Sequence, residues 1–239
     1  MQDNGVYGRQ DPREMPAYGI LEAAHYLRLP PSTLRDWVKG RLYPTEKGQR
    51  FSAPLIPLPP RAQGDPLALS FFNFVEAHVL GALRREQHVS MAKVREALTF
   101  LEKHFPSSHP LADQQFETNG VDLFIEIYGG LLNVNQDGQL AMRDLLRMHL
   151  SRIERDDAGV PVKLYLFTRP PSVDAPKVIA INPYIAFGRP VIMGTGIPTA
   201  IIAERYKAGE SIEDLVYDYD LASQAIQEAI RCELALQAA

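Results

Sequence analysis

The 239-residue chain has one cysteine, Cys232. A lone thiol closes no internal disulfide, and no Cys/His zinc spacing can form around it. Set in a helical pattern beside Ile230 and Leu234, it reads as a small buried hydrophobe. The histidines His25, His78, His88, His104, His109 and His149 form no ligand spacing such as His-x-x-x-His, so no metal site is expected. There is no nucleophile elbow, P-loop or complete dinucleotide fingerprint. Gly194-x-Gly196 lacks the third glycine, and Pro198 stands where an open amide would be needed. The acid pairs Asp156-Asp157 and Asp218 with Asp220 lack basic or glycine-rich surroundings and read as helix-end and loop charges. No catalytic residue, metal or cofactor is therefore expected, and the chain reads as a non-enzyme. No run approaches the roughly 18 apolar residues of a membrane helix. The first residues lack the positive flank and apolar core of a signal peptide, so a cytoplasmic location is expected.

Apolar periodicity supplies the elements. Residues 1–14 are polar and read as a flexible tail. Ile20, Ala23, Ala24 and Leu27 form one helical stripe, and Pro30-Pro31 end it. Ser32 is expected to cap a second helix with Leu34, Trp37 and Val38 on its apolar face, closed by Gly40. Gly48-Gln49-Arg50-Phe51 reads as a hairpin-like turn within the Pro- and Gly-rich stretch 44–66. Two helices follow, near Phe71–Gln87 and, capped by Ser90, over Met91–His104 with Val94, Ala97, Leu98 and Leu101 on one face. The β-rich run Leu123–Tyr128 with Gly129-Gly130 predicts a hairpin returning through Leu131–Val134. A helix near Gln139–Arg155 and strands at Val162–Phe167 and Lys177–Ile181 come next. The proline-rich segment 168–176 is expected to divide domains. Three helices near Thr199–Ala208, Ser211–Tyr217 and Ala222–Gln237 complete the chain, with Thr199 and Ser211 as expected caps. No repeat of solenoid spacing is present.

Charge is unevenly spread. The whole chain is −4, yet between Arg28 and Arg61 seven bases face only Asp36 and Glu46. A local excess of this kind suits release of counterions from nucleic-acid phosphates. In a helix–turn–helix the second helix enters the major groove with its N-terminal side chains toward base edges. With Leu34 and Trp37 in the core, Ser32, Thr33, Arg35, Asp36 and Lys39 fall on the outer face. Arg35 can reach guanine through a paired contact, and the hydroxyls can hold phosphates or base edges.

The pattern Tyr18-x-Ile20-x-Glu22-Ala23-Ala24-x-x-Leu27, then Ser32-Thr33-Leu34-Arg35-x-Trp37, resembles the MerR-type winged helix–turn–helix. Lys47-Gly48-Gln49-Arg50-Phe51-Ser52 resembles that family's wing, and Val89–Leu98 its fourth helix. The likeness covers roughly residues 18–102 and implies DNA binding through Ser32, Thr33, Arg35, Lys39, Arg41, Lys47 and Arg50. Two departures are Pro30-Pro31 in the turn and the absence of a long C-terminal helix with metal-binding cysteines. Metal sensing is therefore not expected.

From Ile197 onward eight acids face three bases, Arg205, Lys207 and Arg231. That balance repels phosphates and points to a protein partner. The segment Ile181-Asn182-Pro183-x-Ile185-x-Phe187-Gly188-Arg189-Pro190-Val191-Ile192-x-Gly194-Thr195-Gly196-Ile197-Pro198-Thr199, with Ile202–Leu215 after it, resembles the small helical domain of unknown function found in VapB-type antitoxins. The full arrangement resembles the long VapB-type antitoxins. That resemblance implies neutralisation of a PIN-like ribonuclease toxin and repression of the protein's own operator DNA. Phe187, Arg189, Arg205 and Arg231 are the candidate partner contacts. Arg189 can either reach toxin carboxylates or pair with a nearby carboxylate to fix its own loop.

The expected architecture is α+β and mainly helical. It comprises a tail at 1–14, a MerR-like winged helix–turn–helix at 15–62 and a central section of helices with a β-hairpin at 63–168. A C-terminal helix–turn–helix-like module occupies 169–239. Apolar stripes at 67–104 and 222–236 exceed what one small module covers, so a homodimer is expected. The alternative reading is a ligand-responsive MerR-like transcription regulator without a toxin partner.

Overall fold

The computed structural model describes residues 10–45, 48–85, 91–132 and 135–234. Lys47, His88 and the expected cap Ser90 lie outside them. Strand β1 (Tyr18–Gly19) leads into helix α1 (Ile20–Leu27) and helix α2 (Pro31–Lys39). The hairpin β2 (Arg41–Thr45) and β3 (Gly48–Ser52) follows, and β4 (Ala68–Leu69) returns antiparallel to β1. Ile20, Ala23, Ala24 and Leu27 of α1 and Leu34, Trp37 and Val38 of α2 are buried, as their spacing predicts. The start of α2 differs from expectation. Pro30 occupies the cap position and Pro31 the first turn, which places Ser32 inside the helix. Proline's fixed φ and missing N–H suit a first helical turn, where that N–H would have no partner. At the other end Gly40, with φ of 73°, donates its amide to the Asp36 carbonyl at 2.9 Å. A Cβ there would lie 2.3 Å from the Ser52 carbonyl oxygen, so only glycine lets the wing fold back over the helix end.

Helix α3 (Phe71–Arg85) is the axis of the molecule, buried from Phe71 through Leu83. Ser70 and Asn73 close its first turn by exchanging amide-to-side-chain hydrogen bonds of 3.2 Å. Helix α4 (Met91–His104) buries Val94, Ala97, Leu98 and Leu101. A single π-helical turn, Phe116–Gly120, then runs straight into α5 (Val121–Leu132). The hairpin expected at 123–134 is therefore a helix over its described part. Val121, Phe124, Ile125 and Tyr128 fall on one buried face at helical spacing. Gly129 is not a turn but a close approach to α6 (Gln136–Leu150), since a Cβ there would lie 2.6 Å from the Gln139 side-chain nitrogen. Helix α6 opens on an Asn135 cap that accepts the Gly138 amide at 2.9 Å.

The helix expected to reach Arg155 stops at Leu150, because Ile153–Arg155 is strand β5. It pairs with β6 (Pro161–Tyr165), Ile153 opposite Leu164, and this is the β-hairpin of the central section. β6 pairs in turn with β7 (Ile179–Ile181), and β7 with β8 (Val191–Ile192). The antiparallel sheet runs β5-β6-β7-β8, so strand pairing crosses residue 168. Helices α7 (Thr199–Lys207), α8 (Ile212–Tyr219) and α9 (Ser223–Leu234) follow. Pro198, not Thr199, caps α7, whereas Ser211 caps α8 and exchanges bonds with Asp214 in a full capping box.

The apolar stripes read as unpaired are covered within one chain. Helix α3 packs on α1 and α6, α4 packs on α5, and α9 is enclosed by α7, α8, β7 and β8. Helix α9 also meets α1. His25 Nε2 lies 2.9 Å from the Cys232 carbonyl, and the Tyr26 hydroxyl donates to Glu233 at 3.4 Å. Residues 11–14 are engaged too. Arg13 bonds Asp11 and Asp156 and lies over the Phe72 ring, and Tyr184 donates to Asp11. No described helix is long and apolar enough to cross a membrane.

Candidate nucleic-acid and partner interfaces

Helix α2 turns Leu34, Trp37 and Val38 inward, which leaves Ser32, Arg35 and Lys39 exposed and Thr33 and Asp36 half-buried. Among the described residues Arg35, Lys39 and Arg50 carry no ion pair. On the wing Arg41 stands opposite Ser52, and Tyr43 opposite Arg50. Strand alternation therefore sets Arg41, Tyr43, Arg50 and Ser52 on one side and Leu42 with Phe51 on the other. Arg41 reaches Asp36 at 3.6 Å, an exposed pair of small energetic weight. The described DNA candidates thus come together on α2 and one face of the wing.

Between α2 and the wing lies a cleft of about 560 Å³, lined among others by Asp36, Trp37, Arg41, Tyr43, Arg84 and Arg95. Sequence reading assigned nothing on α3 or α4 to this face. Arg84 lies in the last turn of α3 and Arg95 in the second turn of α4, and no local sequence pattern marks either for this face. Arg95 donates to the Pro54 carbonyl at 3.1 Å, and burial lowers its pKa from the ordinary arginine value.

The partner candidates are scattered by comparison. After β7, Asn182 organises a tight turn by accepting the Tyr184 amide at 2.9 Å. Ala186, Phe187 and Gly188 then take φ of 49°, 54° and 77°, three left-handed residues in succession. For a non-glycine residue this conformation costs roughly 1–2 kcal/mol. Phe187 is 71% exposed. Arg189 beside it is exposed and has no carboxylate partner among the described residues. Arg205 is bound by Glu210 and Asp218 and lies over the Tyr219 ring at 5.1 Å. Arg231 bonds the buried Glu228 at 2.6 Å, with Arg169 and Thr168 on the same carboxylate. Burial pushes Glu228 up, but these donors outweigh it and hold its pKa below the usual value. Among the described residues no cluster of three His, Cys, Asp or Glu has metal-binding geometry.

Two segments match known families. Residues 16–98 match a family described as "Putative DNA-binding HTH domain", and residues 179–231 match "Protein of unknown function (DUF433)". The chain is 28% identical over 231 residues to "Putative antitoxin VapB45" of Mycobacterium tuberculosis, covering 91% of this chain and 93% of that one. It is 28% identical over 222 residues to the uncharacterized protein Rv2308 of the same organism, covering 89% and 88% of the two chains. The crystal structure of Rv2018 from Mycobacterium tuberculosis shares the fold, with a TM-score of 0.68 at 23% identity over 90% of this chain and 98% of that one. The chain is thus a mainly helical α+β protein whose residues 16–98 match a family described as a putative DNA-binding HTH domain and whose residues 179–231 match DUF433, and it is similar to a putative VapB antitoxin over 91% of its length.

Proposed function

We propose that the protein is a non-enzymatic cytoplasmic antitoxin that also represses its own operator. The observation that carries the DNA half is the division of α2: Leu34 and Trp37 lock it to the core while Ser32, Arg35 and Lys39 are exposed, Arg35 and Lys39 without an ion pair among the described residues. On this reading Arg35 reads a base edge, Ser32, Thr33 and Lys39 approach the groove wall, and Arg41, Lys47 and Arg50 hold phosphates. Two copies act together, since twofold operators favour symmetric dimers. The modules at 15–62, 63–168 and 169–239 then read DNA, link and hold the toxin. Similarity to a protein described as a putative antitoxin supports the second role, and the partner proposed is a PIN-like ribonuclease. Phe187 and Arg189 are the contacts proposed first, because Arg205 and Arg231 already serve intramolecular carboxylates.

The test is a pair of titrations on the full chain. Arg35→Ala should weaken binding to the upstream promoter by ~1–3 kcal/mol and relax base preference. Arg189→Ala should weaken the complex with the ribonuclease encoded beside it by ~2–5 kcal/mol and release its nuclease activity. A folded Arg35→Ala variant with unchanged promoter affinity sinks the DNA assignment. Full protection of RNA by Phe187→Ala/Arg189→Ala sinks the partner assignment. Removal of 177–239 is a poor substitute, because β7 and β8 are half of the sheet.

A further inference from the structure

We propose that the partner surface is wider than Phe187 and Arg189: Tyr184 and Ile185 complete it, and residues 11–13, from the other end of the chain, position Tyr184 for the partner. This rests on the antitoxin reading above and deepens it. Among the described residues twelve large apolar or aromatic side chains are exposed, and three of them, Tyr184, Ile185 and Phe187, fall within four positions. Exposed apolar side chains scattered singly are ordinary, whereas a cluster marks a contact surface. The backbone makes these three one patch. Ile185 donates its amide to the Asn182 carbonyl at 3.0 Å, Gly188 to Ile185 at 3.0 Å and Arg189 to Ala186 at 3.1 Å, so consecutive tight turns carry all three side chains and end on Arg189.

Tyr184 is held before any partner arrives. Its hydroxyl donates to Asp11 at 3.2 Å, while the side chain stays 51% exposed. Its ring lies 6.0 Å from the Arg13 guanidinium, which is bonded to Asp11 at 2.7 Å and to Asp156 at 3.2 Å. An aromatic side chain already fixed in the free protein loses less entropy on binding, which makes it an efficient anchor. Asp11 and Asp156 also neutralise Arg13, so the patch presents three apolar side chains and one cation, Arg189. The occupant that fits is a protein face with an apolar hollow rimmed by carboxylates. A second copy fits less well: patch on patch would bring two Arg189 guanidinium groups together with no carboxylate among the patch side chains.

The experiment measures binding of the full chain to the ribonuclease encoded beside it by calorimetry, with melting curves and light scattering alongside. Tyr184→Ala should weaken the complex about 30-fold or more, the loss expected of a central anchor. Tyr184→Phe and Asp11→Ala should each weaken it about twofold to tenfold. Their double variant should be no weaker than Asp11→Ala, since both remove one bond, and Asp11→Asn, which keeps an acceptor, should restore most of the affinity. Additive losses overturn the positioning role. If Arg189→Ala weakens the complex and a folded Tyr184→Ala does not, the wider surface falls and the antitoxin reading stands. Ile185→Ser, which leaves the Asp11 bond in place, decides the same point if Tyr184→Ala melts early. A wild type that binds no ribonuclease overturns both. A Tyr184→Ala chain that halves its mass in solution and keeps its ribonuclease affinity assigns the patch to a second copy and overturns the proposal.

Discussion

Replacing Gly188 by alanine tests whether the Phe187–Arg189 loop is seated on the helix–turn–helix module. A Cβ at Gly188 would lie 2.4 Å from the Tyr18 hydroxyl oxygen and 3.2 Å from Tyr18 Cζ. Tyr18 cannot swing aside, being 3% exposed and packed 4.9 Å from the Phe74 ring. Overpacking of this kind costs roughly 1–3 kcal/mol. The residue's φ of 77° adds roughly 1–2 kcal/mol for any side chain. The variant should therefore lose about 2–5 kcal/mol, and each kcal/mol lowers the melting midpoint of a chain this size by about 2–4 °C. Tyr18→Phe removes the oxygen in the closest contact and leaves Cζ at 3.2 Å, a gap that small shifts absorb. The double variant should recover the overpacking part and keep the backbone part. Melting of the wild type, both single variants and the double, followed by circular dichroism, gives a coupling energy of at least about 1 kcal/mol. Additive single effects would refute the seating of this loop on β1.

A pH titration should find a second device at Glu76, His109 and Glu14. His109 Nδ1 lies 3.2 Å from buried Glu76 and its Nε2 3.4 Å from Glu14. Burial opposes charge on this ring, yet the two carboxylates outweigh it and raise its pKa above the ordinary 6.5. Burial raises Glu76 likewise. Both groups therefore hold protons more tightly when folded, so stability from His109 is complete below pH 6.5 and declines as pH rises through the raised value. His109→Gln should flatten that decline in urea melts, and an unchanged slope refutes it. Leu34→Ala, beneath the outer face of α2, should cost about 2–5 kcal/mol and weaken DNA binding; a loss under about 1 kcal/mol would mean α2 is not anchored there. Glu228→Gln should cost about 1–3 kcal/mol, because Arg169 and Arg231 then share a site without its anion. The wild-type advantage should fade as pH drops through the lowered Glu228 pKa, and a pH-independent difference contradicts the pairing.

The parts legible in the sequence are those governed by local spacing. The Leu34, Trp37, Val38 stripe and the Ser211–Asp214 box depend on residues within a turn or two of one another. The basic 28–61 stretch and the acidic end are likewise matters of count. Residues 121–132 misled because Leu123–Tyr128 is equally apolar at strand and helix period, and Gly129-Gly130 resembles a turn. Only the nearby Gln139 side chain shows why a glycine is needed inside that helix. Tertiary placement left no local trace. Arg84 and Arg95 reach the wing because α3 and α4 fold past it, and His25 meets Cys232 from 207 positions away.

The same placement separates two explanations of Arg189. If its work were to brace its own loop, a carboxylate should stand within bonding distance, as Glu210 does for Arg205 and Glu228 for Arg231. No such partner stands beside Arg189 among the described residues. The loop is braced by other means: the Asn182 side chain on the Tyr184 amide, Tyr184 on Asp11, and Gly188 against Tyr18. These contacts hold Ala186 and Phe187 in a conformation that relaxes readily if unsupported, and strain kept in place by its surroundings is a pointer to function. What they project is an exposed aromatic ring followed by a guanidinium with no carboxylate partner among the described residues, in a module whose other charges are mostly acidic. Aromatic and arginine side chains dominate the binding energy of protein interfaces. Of the two explanations, we propose a contact with the carboxylates of a partner protein, and retained protection of RNA by Arg189→Ala would reject it.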